Sequence, residues 1–314
     1  MTVQAQGKLT HSRPDLSGAS LDEIGGKAAA LVRLTDCGIA VPPFFVVSWR
    51  ALAQHLSLNG IGWNPRLLDS QGWSSLGQRI PQLAIPAAVL EAVLRQYEKL
   101  TASGGRPQVA VRSSAVGEDS AIDSFAGRYL SVLGVSGPEA LEKALKQCWA
   151  SYFDAAAAAR RARGAHPADH PDLALIVQAQ IFAEKAGVVF TRHPVLPDMD
   201  SVYMEANFGT GESVVGGMVT PDSALVSRST GTVEEYVVGD KRRMTLVSAE
   251  AEGSATVEIE PDLRKARVLS DERAAEVARL SINIERAFGA PQDVEWAIDD
   301  AGVWVLQARP ITTL

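Results

Sequence analysis

The sequence has few of the patterns that mark a disulfide-bonded, metal-binding or membrane-inserted protein. Its 314 residues include only two cysteines, Cys37 and Cys148, which lie far apart and form no CxxC motif. Neither a disulfide framework nor a zinc site is therefore indicated, and the five histidines are scattered without metal-ligand spacing. No apolar run approaches the ~18 residues of a membrane span. The amino terminus also lacks a charged segment followed by an apolar one, so no signal peptide is expected.

The charge balance restricts the possible partners. The chain has 30 basic and 37 acidic residues, which gives a formal net charge of −7 at pH 7. This excess of negative charge argues against nucleic acid as a general partner, although it permits local basic clusters around phosphate groups. The length is sufficient for about two domains with a sizeable core. We expect a cytoplasmic protein without a membrane or nucleic-acid partner.

Helical and strand patterns alternate up to about residue 165, and short apolar strands dominate beyond it. The spacing of apolar residues predicts helices over residues 20–35, 86–100, 138–163 and 271–288. The turn-rich segment HPADHP separates the two regions. The sequence thus predicts an α/β (α+β) fold with an N-terminal α/β lobe, residues 1–168, and a sheet-rich C-terminal lobe, residues 169–314. Two lobes imply a cleft, where small ligands commonly bind.

The last hairpin, Gln292–Pro310, carries polar groups on strands that otherwise resemble core strands. A three-residue loop, Asp300–Gly302, would pair Glu295 with Gln307 and Asp293 with Arg309. On the second strand, one face is expected to hold Val303, Val305, Gln307 and Arg309. Two carboxylates, an amide and a guanidinium in one patch suit a hard cation together with phosphate oxygens. A solvated, salt-bridged edge hairpin explains the same residues equally well.

Two further segments contain cationic residues in positions suited to phosphate. Lys27 follows two glycines at the start of a helix, where a backbone can approach a ligand and the helix dipole favours anions. An ordinary helix start carries the same residues. Arg112 lies within an apolar strand, where an arginine is costly unless it is paired with an anion. That anion is either a ligand or, for structure alone, Glu118 or Asp119.

Three more stretches have two interpretations each. The small-residue turn Ser124–Gly127, followed by Ser131, could fold over a terminal phosphate or be an ordinary turn. Gln178 alternates with apolar residues in a strand whose exit could hold an adenine through backbone groups or simply enter a hairpin. The glycine-rich segment Met204–Gly217 is either a phosphate cradle or a plain mobile loop, and its spacing matches neither the dinucleotide fingerprint nor a Walker loop.

The order of these motifs is more informative than any one of them. The chain contains, in sequence, GGKAAAL, VAVRSSA, SFAG, CWAS, AGVVFTR, EANFGTGESVV and PQDVEWAID with VLQARPIT. This series resembles the N-terminal ATP-binding domain shared by phosphoenolpyruvate synthase, pyruvate phosphate dikinase and rifampin phosphotransferase. The resemblance runs from about residue 20 to residue 314. It implies an ATP-grasp fold, in which two lobes enclose a nucleotide cleft.

The resemblance also implies ATP and Mg²⁺ as cofactors and assigns roles to individual positions. The catalytic residues that neutralise phosphate charge would be Lys27, Arg112 and Arg309. Further contacts to the nucleotide would come from Gly127, Ser131 and Gln178, with Ser131 standing where the family often has threonine. The magnesium ligands would be Glu295 and Gln307, with Asp293 beside them.

Some positions depart from the family pattern. Leu130 stands where relatives usually carry a polar or acidic residue, and Arg128–Tyr129 replaces a common glutamine pair. His193 stands where aspartate or asparagine is more usual. None of these changes removes an expected phosphate or metal ligand. They affect the fine structure of the loop and the approach of the phosphate acceptor.

The resemblance implies partners that supply the rest of the reaction. In those relatives this domain passes a phosphoryl group to a histidine on a swivelling domain, which then visits an acceptor-binding domain. No histidine here has the Gly/Thr-rich setting of such a carrier. We therefore expect a subunit or excised domain that passes the β-phosphate of ATP to a separate carrier histidine, and thence to pyruvate or to an antibiotic or phenol hydroxyl. The alternative is a non-catalytic, regulatory ATP-binding module, which would tolerate loss of the metal ligands.

Overall fold

The computed structural model describes residues 7–64, 70–104, 107–116, 130–153, 169–196 and 198–311. These residues form a mixture of helices and antiparallel sheets, so the predicted α/β fold class is confirmed. Contacts divide the chain into two compact units. Among the described residues, unit 1 contains those up to Ala29 and those from Pro43 to Gln180, and unit 2 contains residues 30–42 and those from Ile181 onward.

The division between Gln180 and Ile181 lies beyond the lobe boundary that was expected between residues 168 and 169. The strand Leu173–Ala179 belongs to the first unit, because it pairs on one side with Phe44–Val47 and on the other with Val109–Ala115. A central strand buried on both faces has a continuous apolar sequence. Such a run does not reveal which neighbours the strand will pair with.

Unit 1 is built on a five-stranded antiparallel sheet, sheet 1, with strand order β1-β2-β5-β3-β4. Its strands are β1 (Thr10–His11), β2 (Phe44–Val47), β3 (Val109–Ala115), β4 (Ser131–Val135) and β5 (Leu173–Ala179). The helices of this part of the chain are α1 (Arg13–Leu16), α2 (Leu21–Asp36), α3 (Trp49–Leu58), α4 (Ser70–Arg79), α5 (Ala87–Gly104) and α6 (Gly137–Tyr152). One face of sheet 1 packs into a core centred on α6, where Trp149 is fully buried.

Unit 2 is built on a six-stranded antiparallel sheet, sheet 2, with strand order β13-β12-β6-β7-β8-β9. Its strands are β6 (Lys185–Phe190), β7 (Ser201–Phe208), β8 (Asp222–Ser227), β9 (Val233–Val237), β12 (Gln292–Asp299) and β13 (Gly302–Pro310). A separate hairpin joins β10 (Arg243–Val247) to β11 (Ser254–Glu258). The remaining helices are α7 (Glu212–Val215), α8 (Pro261–Arg264) and α9 (Asp271–Phe288).

Helix α9 has the bounds predicted from the sequence, because its ends carry strong capping signals. The Ser270 hydroxyl accepts a hydrogen bond from the Arg273 amide at 3.3 Å, and acidic residues occupy the first turn. Gly289, with φ 70°, ends the helix in the left-handed conformation that glycine tolerates best. The helix packs against β6, β8, β9 and β12.

One predicted helix has a different end in the structure, and two helices were not predicted. The helix expected over residues 138–163 ends at Tyr152, and residues 154–163 of that prediction lie outside the described residues. Helices α3 and α4 were not predicted. None of the helices that the structure describes combines the length and apolar character needed to cross a bilayer.

Candidate functional site

The terminal hairpin has the predicted pairing at its polar end. Asp293 pairs with Arg309, and Glu295 pairs with Gln307. Paired residues on neighbouring antiparallel strands project to the same side of a sheet, as do residues two apart on one strand. All four side chains therefore lie on one face of sheet 2, which we call the polar face.

The turn that produces this register is shorter than predicted. Asp299 pairs with Gly302, so two residues rather than three form the turn, and Trp296 pairs with Val305. The register then shifts by one, because Leu306 has no partner and forms a β-bulge. An extra residue in one strand reverses the alternation of side chains beyond it.

The bulge separates two sets of residues that were expected to share a face. The prediction that Val303 and Val305 lie on the same side as Gln307 and Arg309 is wrong. Val303 and Val305 instead lie on the apolar side with Ile298 and Trp296, their partners across the ladder. The polar and apolar halves of β13 therefore serve opposite faces.

Asp293 and Arg309 form a close ion pair on the polar face. The Nε and Nη2 atoms of Arg309 donate to Oδ2 of Asp293 at 2.8 and 2.6 Å. The second carboxylate oxygen, Oδ1, is buried and has no hydrogen-bond partner among the described residues. Burial raises the pKa of Asp293, the charge of Arg309 opposes the rise, and Glu295 adds to it. A buried acceptor left without a partner is unfavourable, so this oxygen is suited to a ligand.

These oxygen atoms fit a magnesium ion shared with phosphate. The Glu295 carboxylate, the Gln307 amide oxygen and Oδ1 of Asp293 are hard ligands of the kind that Mg²⁺ prefers, and they share the polar face. Across the part of the chain that the structure describes, no group of three or more His, Cys, Asp or Glu side chains could hold a metal.

In unit 1, three predicted nucleotide contacts share one face of sheet 1. Arg112 pairs with Ser131 on β4 and with Ile176 on β5. Gln178, two residues beyond Ile176, pairs with Ala110. The side chains of Arg112, Ser131 and Gln178 therefore point to the same side, opposite to the face that packs into the core.

Lys27 lies at the start of the helical segment that approaches this face. Helix α2 is interrupted at Gly25, which has φ 76° and ψ 169°. Ser114 lies two residues after Arg112 on β3; its hydroxyl donates to the Ile24 carbonyl at 2.8 Å and accepts from the Ala28 amide at 3.1 Å. The hydroxyl thus fixes the turn of helix that carries Lys27. The position of Lys27 near a helix start is the one predicted from the sequence.

The first glycine of the GGK motif is required by the protein backbone. A Cβ atom at Gly25 would lie 2.0 Å from the carbonyl oxygen of Ser114, and the residue has positive φ. Close approach of α2 to β3, rather than to a ligand, explains this glycine. The positive charge of Lys27 acts on the nearby buried thiol of Cys148, whose pKa burial raises to about 12 while Lys27 opposes the rise.

Part of the predicted phosphate loop lies outside the described residues. This applies to Gly127, to the segment that precedes it from Glu118 onward and to Arg128–Tyr129. Leu130, which departs from the family pattern, is described and is 41% exposed.

The departure at His193 has a clear structural role. Its Nδ1 atom accepts hydrogen bonds from the amides of Val195 and Leu196, at 3.1 and 3.0 Å. An aspartate or asparagine side chain caps a turn in the same way. The imidazole nitrogen therefore replaces a carboxylate or amide oxygen, with the ring proton assigned to Nε2 from this geometry.

The segment Met204–Gly217 contains less loop than either interpretation assumed. Its first part completes β7, and α7 begins at Glu212. Gly209, with φ 74°, lies so close to β10 that a Cβ atom would be 2.3 Å from the Thr245 carbonyl oxygen. The sequence reasoning missed Glu205, which lies between apolar residues in β7; only the pairing of β7 within sheet 2 shows which face it occupies.

Comparison with known proteins connects this geometry to a family. Residues 21–314 match the family described as "Pyruvate phosphate dikinase, AMP/ATP-binding domain". The chain is 36% identical over 303 residues to a probable phosphoenolpyruvate synthase of Methanothermobacter thermautotrophicus, covering 92% of this chain and 44% of the relative. It is 34% identical over 326 residues to a rifampicin phosphotransferase of Streptomyces sp, covering 98% and 36%. The chain thus spans less than half the length of these relatives.

A likeness to a solved structure is much weaker. The D-alanine-D-alanine ligase of Coxiella burnetii aligns with 91% of this chain and 47% of its own, at 11% identity and a TM-score of 0.38. A likeness of that size supports no conclusion. The family match over almost the whole chain is sufficient by itself: the chain belongs to the family of the pyruvate phosphate dikinase AMP/ATP-binding domain.

Proposed function

We propose that the chain is the ATP-binding and ATP-cleaving module of a dikinase-type phosphotransferase. The imidazole of a carrier histidine on another domain or subunit attacks the β-phosphorus of ATP, and AMP leaves. Water then hydrolyses the γ-phosphate from the histidine-bound pyrophosphoryl group, which releases inorganic phosphate and leaves the β-phosphate on the histidine. The observation that carries this proposal is the polar face of sheet 2, where the Asp293–Arg309 ion pair adjoins Glu295 and Gln307. That face lies within a chain matched to an ATP-binding family.

Each predicted residue has a role in positioning the nucleotide or neutralising its charge. Lys27, Arg112 and Arg309 offset the negative charge that accumulates on the transferred group. Glu295, Gln307 and Oδ1 of Asp293 would hold Mg²⁺, which would neutralise negative charge on the phosphate groups. The remaining nucleotide contacts are assigned to Gly127, Ser131 and Gln178.

Asp293 has a second role in this scheme, because it fixes the guanidinium of Arg309. An arginine held in place before the nucleotide arrives pays little reorganisation cost when charge develops. A neutral imidazole is itself the nucleophile, so no general base from this chain is required. We further propose that the protein acts in the cytoplasm and that the final acceptor, pyruvate or an antibiotic or phenol hydroxyl, binds to a domain outside this chain.

A binding experiment tests the nucleotide site. Isothermal titration calorimetry of the purified chain should detect ATP binding that requires Mg²⁺. Loss of a charge-assisted contact is worth about 1.5–3 kcal/mol, so Arg309→Met should weaken binding about 10- to 100-fold. Arg242→Met is the matched control, since Arg242 is exposed and pairs with the exposed Asp240. Absence of Mg²⁺-dependent binding, or equal affinities for the two variants, would contradict the proposal.

A transfer experiment tests the chemistry separately from binding. The chain alone should bind ATP but turn it over slowly. Addition of the carrier-histidine portion of a related phosphoenolpyruvate synthase should yield AMP and labelled phosphohistidine when the β-phosphate is radioactive. Rapid hydrolysis by the chain alone would contradict a carrier-dependent mechanism. Tight ATP binding with no AMP formed in the presence of the carrier would favour the regulatory module instead.

A further inference from the structure

A second carboxylate lies on the polar face of sheet 2, in the same row as the expected metal ligands. The ladder pairs Gln307 with Glu295, Glu295 with Val188 and Val188 with Glu205. Each pairing keeps the side chains on one side of the sheet. Glu205 therefore projects from the face that carries Glu295, two strands away.

Glu205 lies apart from the expected metal ligands on this face. Neighbouring strands are about 4.8 Å apart, so the backbones of Glu295 and Glu205 are about 10 Å apart. The residue between them, Val188, is apolar and 8% exposed. Because an apolar residue separates the two carboxylates, Glu205 can contact a different part of the same ligand.

The carboxylate of Glu205 is held in place on one side. The Tyr203 hydroxyl donates to its Oε1 atom at 2.8 Å. Burial, and then the hydrogen bond to Glu205, raise the pKa of Tyr203 to about 12, so the hydroxyl remains a donor at neutral pH. Among the described residues no lysine or arginine forms an ion pair with Glu205. The second oxygen, Oε2, is thus left to accept hydrogen bonds from a ligand.

A nucleoside triphosphate offers suitable donors at a suitable distance. Its ribose carries two vicinal hydroxyls, which can donate together to one carboxylate, and lies several bonds from the phosphates that share the metal. We propose that Glu205, positioned by Tyr203, accepts hydrogen bonds from the ribose hydroxyls of ATP and discriminates against deoxyribonucleotides. This inference rests on the proposed ATP-binding function.

The test compares ATP with 2′-deoxy-ATP and 3′-deoxy-ATP in Mg²⁺-containing titrations. A site built to bind a hydroxyl rejects the analogue that lacks it, and a hydrogen bond to a charged group is worth about 1.5–3 kcal/mol. The wild-type chain should bind ATP about 10- to 100-fold more tightly than either analogue. Glu205→Ala should bind all three with similar affinity, and Tyr203→Phe should show an intermediate preference.

Glu235→Ala is the matched control. This variant removes a carboxylate from the same face of sheet 2, since Glu235 pairs with Leu225 and Leu225 pairs with Tyr203. Unlike Glu205, Glu235 is exposed and lies in the edge strand β9. This control should keep the wild-type preference for ATP. If the wild-type chain binds ATP and both analogues equally, or Glu205→Ala keeps the preference, the role of Glu205 is overturned while the ATP-binding function stands. If the wild-type chain binds no nucleotide, both proposals fail.

Discussion

The buried ion pair between Lys241 and Asp222 is expected to contribute strongly to the stability of unit 2, and its disruption tests this expectation. Both side chains are almost completely buried, at 0% and 1% exposure, and their charged groups are in direct contact. Asp222 also accepts from the Tyr236 hydroxyl and from the amides of Gly239 and Val268, at 2.8, 2.9 and 2.7 Å. One carboxylate thus joins three segments of the chain that are distant in sequence.

The expected cost of disrupting this pair follows from the groups that would be left without partners. Breaking a buried ion pair by removing one member typically costs about 3–5 kcal/mol. Lys241→Met leaves Asp222 with three donors, so the lower end, about 3 kcal/mol, is expected. Asp222→Ala leaves two amides without an acceptor, each worth about 1–3 kcal/mol, and a buried ammonium whose carboxylate partner is gone and which donates to the Gly239 carbonyl at 3.2 Å. We therefore expect a loss of about 5 kcal/mol or more for that variant.

Urea denaturation and hydrogen exchange measure these effects together. The free energy of unfolding should fall by the amounts above. Peptides that contain Gly239 and Val268 should lose exchange protection in Asp222→Ala, because their amides lose the acceptor. The double variant Asp222→Asn/Lys241→Met should cost less than the sum of its single variants, since no unpaired charge remains.

The neighbouring residue provides the control. Arg242 also forms an ion pair, with Asp240, but the two side chains are 74% and 47% exposed. Exposed pairs contribute about 0–1 kcal/mol, so Arg242→Met should unfold almost as the wild type does. Equal and small effects for Lys241→Met and Arg242→Met would refute the reasoning from burial.

Three further predictions follow from the site and its surroundings. Because burial raises the pKa of Asp293, its carboxylate takes up a proton at a higher pH than an ordinary aspartate; calorimetric affinity for Mg·ATP should fall as the pH is lowered, and Asp293→Asn, already weaker at neutral pH, should lack this step. Gly25→Ala should destabilise the chain to urea by several kcal/mol more than Gly38→Ala, since both glycines have φ near 75° but only the former meets a backbone oxygen, that of Ser114; similar losses would contradict a clash. Deletion of Leu306 should preserve Mg²⁺-dependent ATP binding, because Leu306 is the unpaired residue and the pairs Trp296–Val305 and Glu295–Gln307 would then follow one another in a regular ladder; loss of binding in a chain whose circular dichroism is unchanged would contradict the assigned register.

Local signals in the sequence were sufficient to predict those features that depend on residues close together along the chain. Helix α9 has its predicted bounds because Ser270 and Gly289 cap its two ends. The pairing of Glu295 with Gln307 was also predicted, since alternation and a short turn leave few registers that bury the apolar residues of both strands.

The bulge could not be predicted, because two arrangements of the turn give the same pairing at the polar end. A three-residue loop without a bulge and a two-residue turn with a bulge both place Glu295 opposite Gln307. The two arrangements place Trp304 and Leu306 differently, and in the structure both side chains pack against a cluster that includes Ile181 and, in β6, Ala186. That contact joins residues more than 100 positions apart, and no pattern within the hairpin reports it.

Buried charges were missed for a related reason. Lys241 lies in a segment of charged residues, GDKRR, which is typical of a solvated turn. Only the convergence of Asp222, Tyr236 and the amide of Val268 makes its burial possible, and these groups come from separate elements. Similarly, a strand position such as Glu205 has no assigned face until the order of strands in sheet 2 is known.

The bulge at Leu306 explains how a single strand serves both the core and the candidate site. Without it, strict alternation would place Val305, which is fully buried, on the same side as Gln307 and Arg309. Either the valine would then leave the core or the amide and guanidinium would enter it, and burial of an unpaired guanidinium is strongly unfavourable. The bulge removes this conflict, because it leaves Leu306 out of the ladder, so that Val305 and Gln307 pair with adjacent residues of β12 and project to opposite faces. Bulges are common beside functional sites for this reason. The bulge immediately before Gln307 allows the apolar half of β13 to face the core while the expected metal and phosphate ligands remain on the polar face.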